Sequence, residues 1–271
     1  MFQEAGRLVY GAKPVPGASF TDLDLRRLRN YLTDVLGDEA TPLADEVGAW
    51  SDLLTNLELM IEFEGVLTPT VDGLLIFGRT PTRFLPQAGV RALAYDGESP
   101  DYATRADEGL SGPLSPLLAL GGEIVEPGLV NQALAFIDRV TSRTASLEGG
   151  RRIDRDAYPL PALREALVNA LVHRDYAIIG ADVSVTVFDR SVEIRSPGRL
   201  PNSATVAAVR SGFRYARNQT LVNVMRDYGY VDFRGMGVRA KMIPSMRAHN
   251  GTEPELIAGD HDFTVRLLLA H

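Results

Sequence analysis

Cysteine is absent from this chain, and its absence excludes disulfides, thiolate zinc sites and a cysteine nucleophile. Histidine is scarce: His173, His249, His261 and His271 are too scattered to suggest a metal cluster. A basic excess is missing too. Lys and Arg number 28 against 35 Asp and Glu, a formal net charge of −7. Such a balance disfavours a free-standing, sequence-independent DNA binder, because counterion release needs clustered cations. It does not exclude a partner domain that holds DNA. No apolar run approaches the roughly 20 residues that span a bilayer, and Met1-Phe-Gln-Glu-Ala-Gly-Arg7 has no basic stretch leading into an apolar core. The chain reads as soluble and cytoplasmic, with no membrane partner. No glycine is followed directly by lysine, so no P-loop exists and a strand-separating motor is not encoded. What remains is globular: 271 residues, 45% hydrophobic and 23% charged, enough for one large domain or two ordinary ones.

Residues 1–19 are turn-rich, around Gly11-Ala-Lys-Pro-Val-Pro-Gly17, and read as an N-terminal extension or the remnant of an upstream domain. Thr21 or Asp22 can cap a helix whose Leu25, Leu28, Leu32 and Leu36 recur at helical spacing. A second helix is expected over Ser51–Glu62 and a strand over Gly73–Gly78. That order occurs in winged-helix fragments and in ordinary α+β packing; without a basic recognition face the ordinary packing is preferred. A strand over Val90–Tyr95, a turn at Asp107–Pro113 and a long helical pattern from Leu114 to Thr144, broken at Gly121-Gly122, complete a mixed α/β region over 20–145. Small, polar and charged residues at Ser146–Arg152 mark the expected domain boundary.

The C-terminal segment, 146–271, opens with a proline-started helix from Leu160 to about His173. A hairpin follows, Val183–Phe188 and Ser191–Arg195, turned at Asp189-Arg190. After a Pro197-Gly198 turn come helices around Ala204–Arg210 and Gln219–Tyr228. Gly235-Met-Gly237 leads into another helix to about His249, and Phe263–Leu269 is the final strand.

The helix before His173 carries the chemistry-bearing residues. Leu163, Ala166, Leu167, Ala170 and Leu171 follow the spacing of one buried face. Glu165, Asn169 and His173, spaced by four, form one polar row. A carboxylate and an amide one turn apart suit a hydrated magnesium ion, the amide oxygen coordinating while the carboxylate holds a water. On spacing alone the same row is a solvated stripe. Gly235 and Gly237 let backbone N–H groups approach phosphate at a helix start, although Gly-x-Gly more often marks a plain turn. Arg174 and Asp175 read either as a local ion pair with Tyr176 packed beneath the sheet or as ligand contacts. His173-Arg-Asp-Tyr176 is not a kinase catalytic loop, since Gly180 stands where an Asn is required and no Asp-Phe-Gly follows. Arg217-Asn218 suits phosphate binding or the capping of the next helix.

Several of these stretches occur together in one known family. Leu163-Arg-Glu-Ala-Leu-Val-Asn-Ala-Leu-Val-His-Arg-Asp-Tyr176, Val187–Ile194, Ser196-Pro-Gly-Arg-Leu-Pro201, Arg217-Asn218, Arg234-Gly-Met-Gly237 and, upstream, Leu67–Thr70 with Gly73–Pro81 resemble the RecG-helicase-related transcriptional regulators. In that family a Schlafen/AlbA-like domain precedes a region similar to the GHKL ATPases. The resemblance implies an α+β chain whose C-terminal part is a GHKL-like (Bergerat-type) α/β sandwich, preceded by a smaller mixed α/β region. It implies Glu165 as the catalytic residue positioning water, Asn169 as the magnesium ligand, and Gly235 and Gly237 as the phosphate-wrapping glycines. Asn169, His173, Asp175, Ser196, Gly198, Arg217, Asn218, Gly235 and Gly237 are then the residues expected to bind the cofactor, ATP with magnesium. Ser196–Pro201 stands where the GHKL proteins carry Asp-x-Gly-x-Gly. No Asp is present to accept from the adenine amino group, and Arg195 cannot accept a hydrogen bond.

Three functions follow from this sequence. One is a regulator whose nucleotide module is coupled to DNA by an upstream domain. Another is a magnesium-dependent ATPase with Glu165 as general base. A third is a dimerisation scaffold with a decayed pocket, a homo-oligomer.

Overall fold

The computed structural model describes residues 10–38, 41–42, 46–141, 144–148, 151–201, 204–213, 215–231 and 236–270. Asp24 caps α1 (Leu25–Asn30) by accepting from the Arg26 N–H, and the helix continues as one wide π-turn, Tyr31–Val35. Then come α2 (Val47–Asn56) and a hairpin, β1 (Met60–Phe63) with β2 (Val66–Pro69). The helix expected over Ser51–Glu62 therefore stops early. Glu58 and Glu64 take left-handed φ values of 59° and 52°, and Gly65 completes a two-residue turn.

The strand expected at Gly73–Gly78 is a helix, α3 (Val71–Phe77). Four consecutive apolar residues suit either state, and here the Thr70 hydroxyl decides by accepting from the Gly73 N–H at 3.0 Å. All seven residues of α3 are buried.

β3 (Val90–Ala94) is as expected, but Asp107–Pro113 begins in a strand, β4 (Ala106–Leu110), rather than a turn. Its charged residues misled because they line a sheet edge, where Asp107 pairs with Arg91 and Glu108 with Arg139. The long helix expected from Leu114 to Thr144 begins only at α4 (Leu129–Val140). Before it stands a small hairpin, β5 (Leu117–Leu118) and β6 (Ile124–Glu126), which spans the Gly121-Gly122 turn.

A further hairpin, β7 (Thr144–Glu148) and β8 (Arg151–Arg155), occupies the expected boundary. Beyond it lie α5 (Leu160–Val172), β9 (Val183–Val187), β10 (Ser191–Pro197), α6 (Val206–Ser211) and α7 (Gln219–Asp227). A π-turn, Val238–Met242, leads into α8 (Ile243–Asn250), followed by β11 (Glu255–Ala258) and β12 (Asp262–Leu268). Sequence reading gave no strand at β11.

One six-stranded mixed sheet organises the chain, in the order β11-β12-β10-β9-β3-β4. All neighbours are antiparallel except β3 and β9. The sheet takes β3 and β4 from before the boundary and the other four strands from after it. Alternate residues form one apolar face, with Ala92 opposite Val185, Val185 opposite Ile194, and Ile194 opposite Val265. All four are buried, and α4 and α5 pack over this sheet. Each fully buried Leu or Val of α5 contributes about 1.5–3 kcal/mol through the hydrophobic effect. The fold class is α+β, as the sequence led us to expect.

Candidate functional site

A helix thirteen residues long leaves its last four carbonyls without partners inside the helix. In α5 each is satisfied from elsewhere. The Asn169 carbonyl accepts from the His173 N–H at 3.1 Å, and that of Ala170 from the Ser196 hydroxyl at 2.6 Å. The Tyr176 hydroxyl donates to Leu171 at 3.0 Å, and the Asn218 amide donates to Val172 and Arg174 at 2.9 Å each. Asn218 thus caps the end of α5 with its side chain. Its own helix, α7, receives no side-chain cap from it, contrary to that reading of the sequence.

Arg174 and Asp175 do not pair as one sequence reading had it. Arg174 is fully buried beneath the loop that follows α5. It donates to the carbonyls of Asp175, Ile178 and Ala181 at 2.7, 2.7 and 2.5 Å and lies 4.8 Å from the Tyr176 ring centre. Asp175 instead faces Arg217 at 3.6 Å and accepts from the Ala177 N–H. The two terminal nitrogens of the guanidinium are spread over carbonyls without a carboxylate, its Nε has no partner, and the carboxylate is left for the neighbouring strand-to-helix loop.

Above this sealed end, the polar row of α5 meets a cavity of about 500 Å³. Glu165, Asn169 and His173 line it from the helix, Ser196 and Gly198 from the end of β10, Arg217 from before α7, and Gly237 from before α8. Seven of the residues expected from the sequence therefore share one cavity. Asp175 stands behind Arg217, Asn218 serves as the cap, and Gly235 lies outside the described residues.

The Asn169 amide nitrogen donates to Glu165 Oε1 at 2.8 Å, which leaves the amide oxygen for another partner. Glu165 is 7% exposed. Gly237 packs so closely against it that a Cβ there would lie 1.8 Å from Oε1. Its φ of −55° is ordinary, so it is the space and not the backbone that demands glycine. Gly198 differs: its φ is +116°, and a Cβ would meet Arg217 Nη1 at 2.1 Å.

His173 is held neutral. Burial first, and then the nearby Arg217 guanidinium, push its pKa down to about 4, and its Nδ1 has no hydrogen-bond partner. Among the described residues no group of three His, Asp or Glu side chains is arranged to hold a metal ion.

The opposite wall was not singled out from the sequence. Leu200, Val209, Phe213, Tyr215, Val222 and Met236 make it largely apolar, and Gln219 and Arg226 add polar ends. Two signals were available. Gln219, Val222 and Arg226 fall at helical spacing on α7, and two aromatics flank the short loop after Gly212.

Residues 180–267 match the family model described as "Putative ATP-dependent DNA helicase recG C-terminal". The match covers β9 through nearly all of β12, so it is this region that is similar to the RecG-related, HATPase-type model. It begins after α5, so geometry rather than the match joins Glu165, Asn169 and His173 to it. Among solved structures the chain is similar to the DIP2311 protein from Corynebacterium diphtheriae, with a TM-score of 0.65 and 20% identity. That likeness covers 100% of this chain and 49% of that one, so the chain spans about half the length of that protein. At this identity it is the fold that is shared. Comparison with curated proteins returned no match. Among the described residues no helix is long and apolar enough to cross a membrane.

Proposed function

We propose that the cavity binds ATP together with magnesium, and that the chain is a regulatory module in which this binding is coupled to DNA held by an upstream domain. The observation that carries the nucleotide reading is the hydrogen-bonded pair of buried Glu165 and half-buried Asn169, with Gly237 against the carboxylate, in the wall of a nucleotide-sized cavity. The match of residues 180–267 to a RecG-type ATPase family supports it. Asn169, with its nitrogen committed to Glu165, offers its oxygen to a cation. Magnesium would be held there by one protein ligand, phosphate oxygens and water, the usual arrangement for an ion that dehydrates reluctantly. When bound it neutralises charge on the phosphates. Arg217, at the mouth of the loop before α7, adds a guanidinium suited to phosphate.

The apolar wall suits the flat face of a base, while selection by a carboxylate is missing at Ser196. Calorimetric titration with magnesium and ATP tests the proposal. Binding by the wild type is expected, with a loss of roughly tenfold or more in Asn169→Ala. A flat trace with ATP, ADP and cyclic nucleotides overturns the nucleotide reading and leaves a scaffold.

Glu165 also supports a second reading, an ATPase in which it acts as general base. Phosphate release by the wild type that vanishes in Glu165→Ala is its signature. The DNA coupling rests on resemblance. A gel shift is expected to be absent or weak for this chain and strong for a version extended upstream.

A further inference from the structure

A second face of α7, turned away from the cavity, meets a cluster of polar groups. Asp72, in the first turn of α3, is 2% exposed and its Oδ1 has no hydrogen-bond partner. The Gly11 backbone presses on it so closely that a Cβ there would lie 2.3 Å from both carboxyl oxygens. Thr220, in the first turn of α7, places its hydroxyl beside the same carboxyl. Its hydroxyl also donates to Glu58 Oε2 at 3.2 Å. Two carboxyl groups from separate elements thus meet one hydroxyl, which has a single proton to give.

The groups facing Asp72 are Glu58 from the turn before β1, Thr220 from α7, the Tyr176 ring from the loop after α5, and the Gly11 backbone. Arg174, against the same Tyr176 ring, places its donors on three carbonyls. Burial, with Glu58 adding to it, raises the Asp72 carboxyl to about 7 despite the opposing effect of the nearby Thr220 hydroxyl.

The two ends of α7 are held differently. At its C-terminal end Asp227 accepts from the Tyr31 hydroxyl at 2.7 Å, and Tyr31 stacks on Tyr228 with ring centres 5.6 Å apart. At its N-terminal end Asn218, just before the helix, is fastened to the end of α5, the Thr220 cluster holds the first turn, and Arg217 and Gln219 beside them line the cavity.

We propose that the Asp72–Thr220–Glu58 cluster is a proton-linked latch on the N-terminal end of α7 that sets ligand affinity in the cavity. Its effect on ligand rests on the nucleotide reading of that cavity. With a proton on Asp72 the donors suffice: Asp72 donates to the Thr220 oxygen and Thr220 to Glu58. Without it, two carboxylates compete for one hydroxyl and repel each other, and the first turn of α7, which carries Gln219, loosens beyond the Asn218 anchor. Because the folded carboxyl titrates above its ordinary range, the latch is closed while Asp72 is protonated and is lost as pH rises through about 7.

The test is calorimetry with magnesium and ATP from about pH 6 to about pH 8.5 on the wild type, Asp72→Asn and Thr220→Val. Wild-type affinity is expected to fall above pH 7 by up to about tenfold per unit, the limit for one proton. Asp72→Asn keeps a donor at every pH and should hold the low-pH affinity throughout. Thr220→Val should be weak and flat. Titration of the ATP phosphates is common to all three and cancels in their ratios. A purely structural Asp72 would lower affinity by the same factor at each pH, and parallel wild-type and Asp72→Asn profiles overturn the latch.

Hydrogen exchange of the α7 amides, without ligand, gives a second readout. Wild-type protection should fall below that of Asp72→Asn as pH rises. Should the wild type bind no nucleotide at any pH, the cavity reading fails, and the exchange comparison decides the latch alone. Equal protection at every pH overturns it.

Discussion

The middle and the C-terminal end of α5 carry opposite designs. Toward its middle, Glu165 and Asn169 stand in the wall of an open cavity, and space for the carboxylate exists only because Gly237 has no side chain. At its C-terminal end Ser196, Tyr176 and Asn218 close the free carbonyls, while Arg174 seals the loop beneath. Polar residues at the first place pair with each other and face the cavity. At the second they are spent on backbone. The contrast shows how neighbouring polar residues divide their bonds: Asp175 and Asn218 border the cavity, yet their hydrogen bonds go to backbone groups.

The strongest way to break this contrast is at the sealed end. Arg174→Met keeps the length of the side chain but strips three buried or half-buried carbonyls of their donor. Stability should fall by about 3 kcal/mol or more, since hydrogen bonds from a charged group contribute about 1.5–3 kcal/mol each and buried acceptors are costly to orphan. Urea unfolding measures it. A loss below about 1 kcal/mol would mean that the loop satisfies itself another way.

Gly237→Ala attacks the open middle, and the expected pattern reverses. The atoms that a methyl group would strike are the tip of Glu165, which can swing aside, so the stability cost should stay within the about 1–3 kcal/mol typical of overpacking. The position of the carboxylate is what is lost. Binding of magnesium and ATP should weaken by roughly tenfold or more, with Asn169 left without its acceptor. Unchanged affinity would show that Glu165 and Asn169 are not needed together.

The legibility of the sequence follows the same line. Spacing by four placed Glu165, Asn169 and His173 on one wall, and a two-residue turn located the β9–β10 hairpin, because both signals are local. The errors came where partners elsewhere in the chain decide. Leu74-Leu-Ile-Phe77 suits strand or helix until Thr70 caps it, and Asp107 and Glu108 look like a turn until Arg91 and Arg139 pair with them. The hairpin before α4 shows the cost of extending a helical pattern across Pro116, Gly121, Gly122 and Pro127. The apolar wall of the cavity was missed for a further reason: it is assembled from α6, α7 and the loops beside them, and no single stretch displays it. Of the expected site residues, those on α5 were readable as a set, whereas the role of Asn218 depends on an end of α5 that lies 46 residues away.

His173 sits at the junction of the two designs and gives the mildest test. It lines the cavity, yet its Nδ1 is buried without a partner, and Arg217 opposes its charging. The folded pKa, about 4, lies below the ordinary value of 6.5, so the unfolded chain binds the extra proton between them. Stability contributed by the neutral ring is therefore present above about pH 6.5 and lost as pH falls toward 4, at no more than about 1.4 kcal/mol per unit. Other carboxylates titrate in the same range, so the informative quantity is the difference between the wild type and His173→Gln, which cannot be charged. That difference should change steadily from pH 6.5 to 4 and be flat above. Arg217→Leu should shrink it, because one of the two causes of the depressed pKa is gone while burial remains. A difference that is flat throughout would mean that the imidazole takes up its proton in the folded chain at the ordinary pH. His173 would then belong with the solvated groups of the cavity and not with the sealed end of α5.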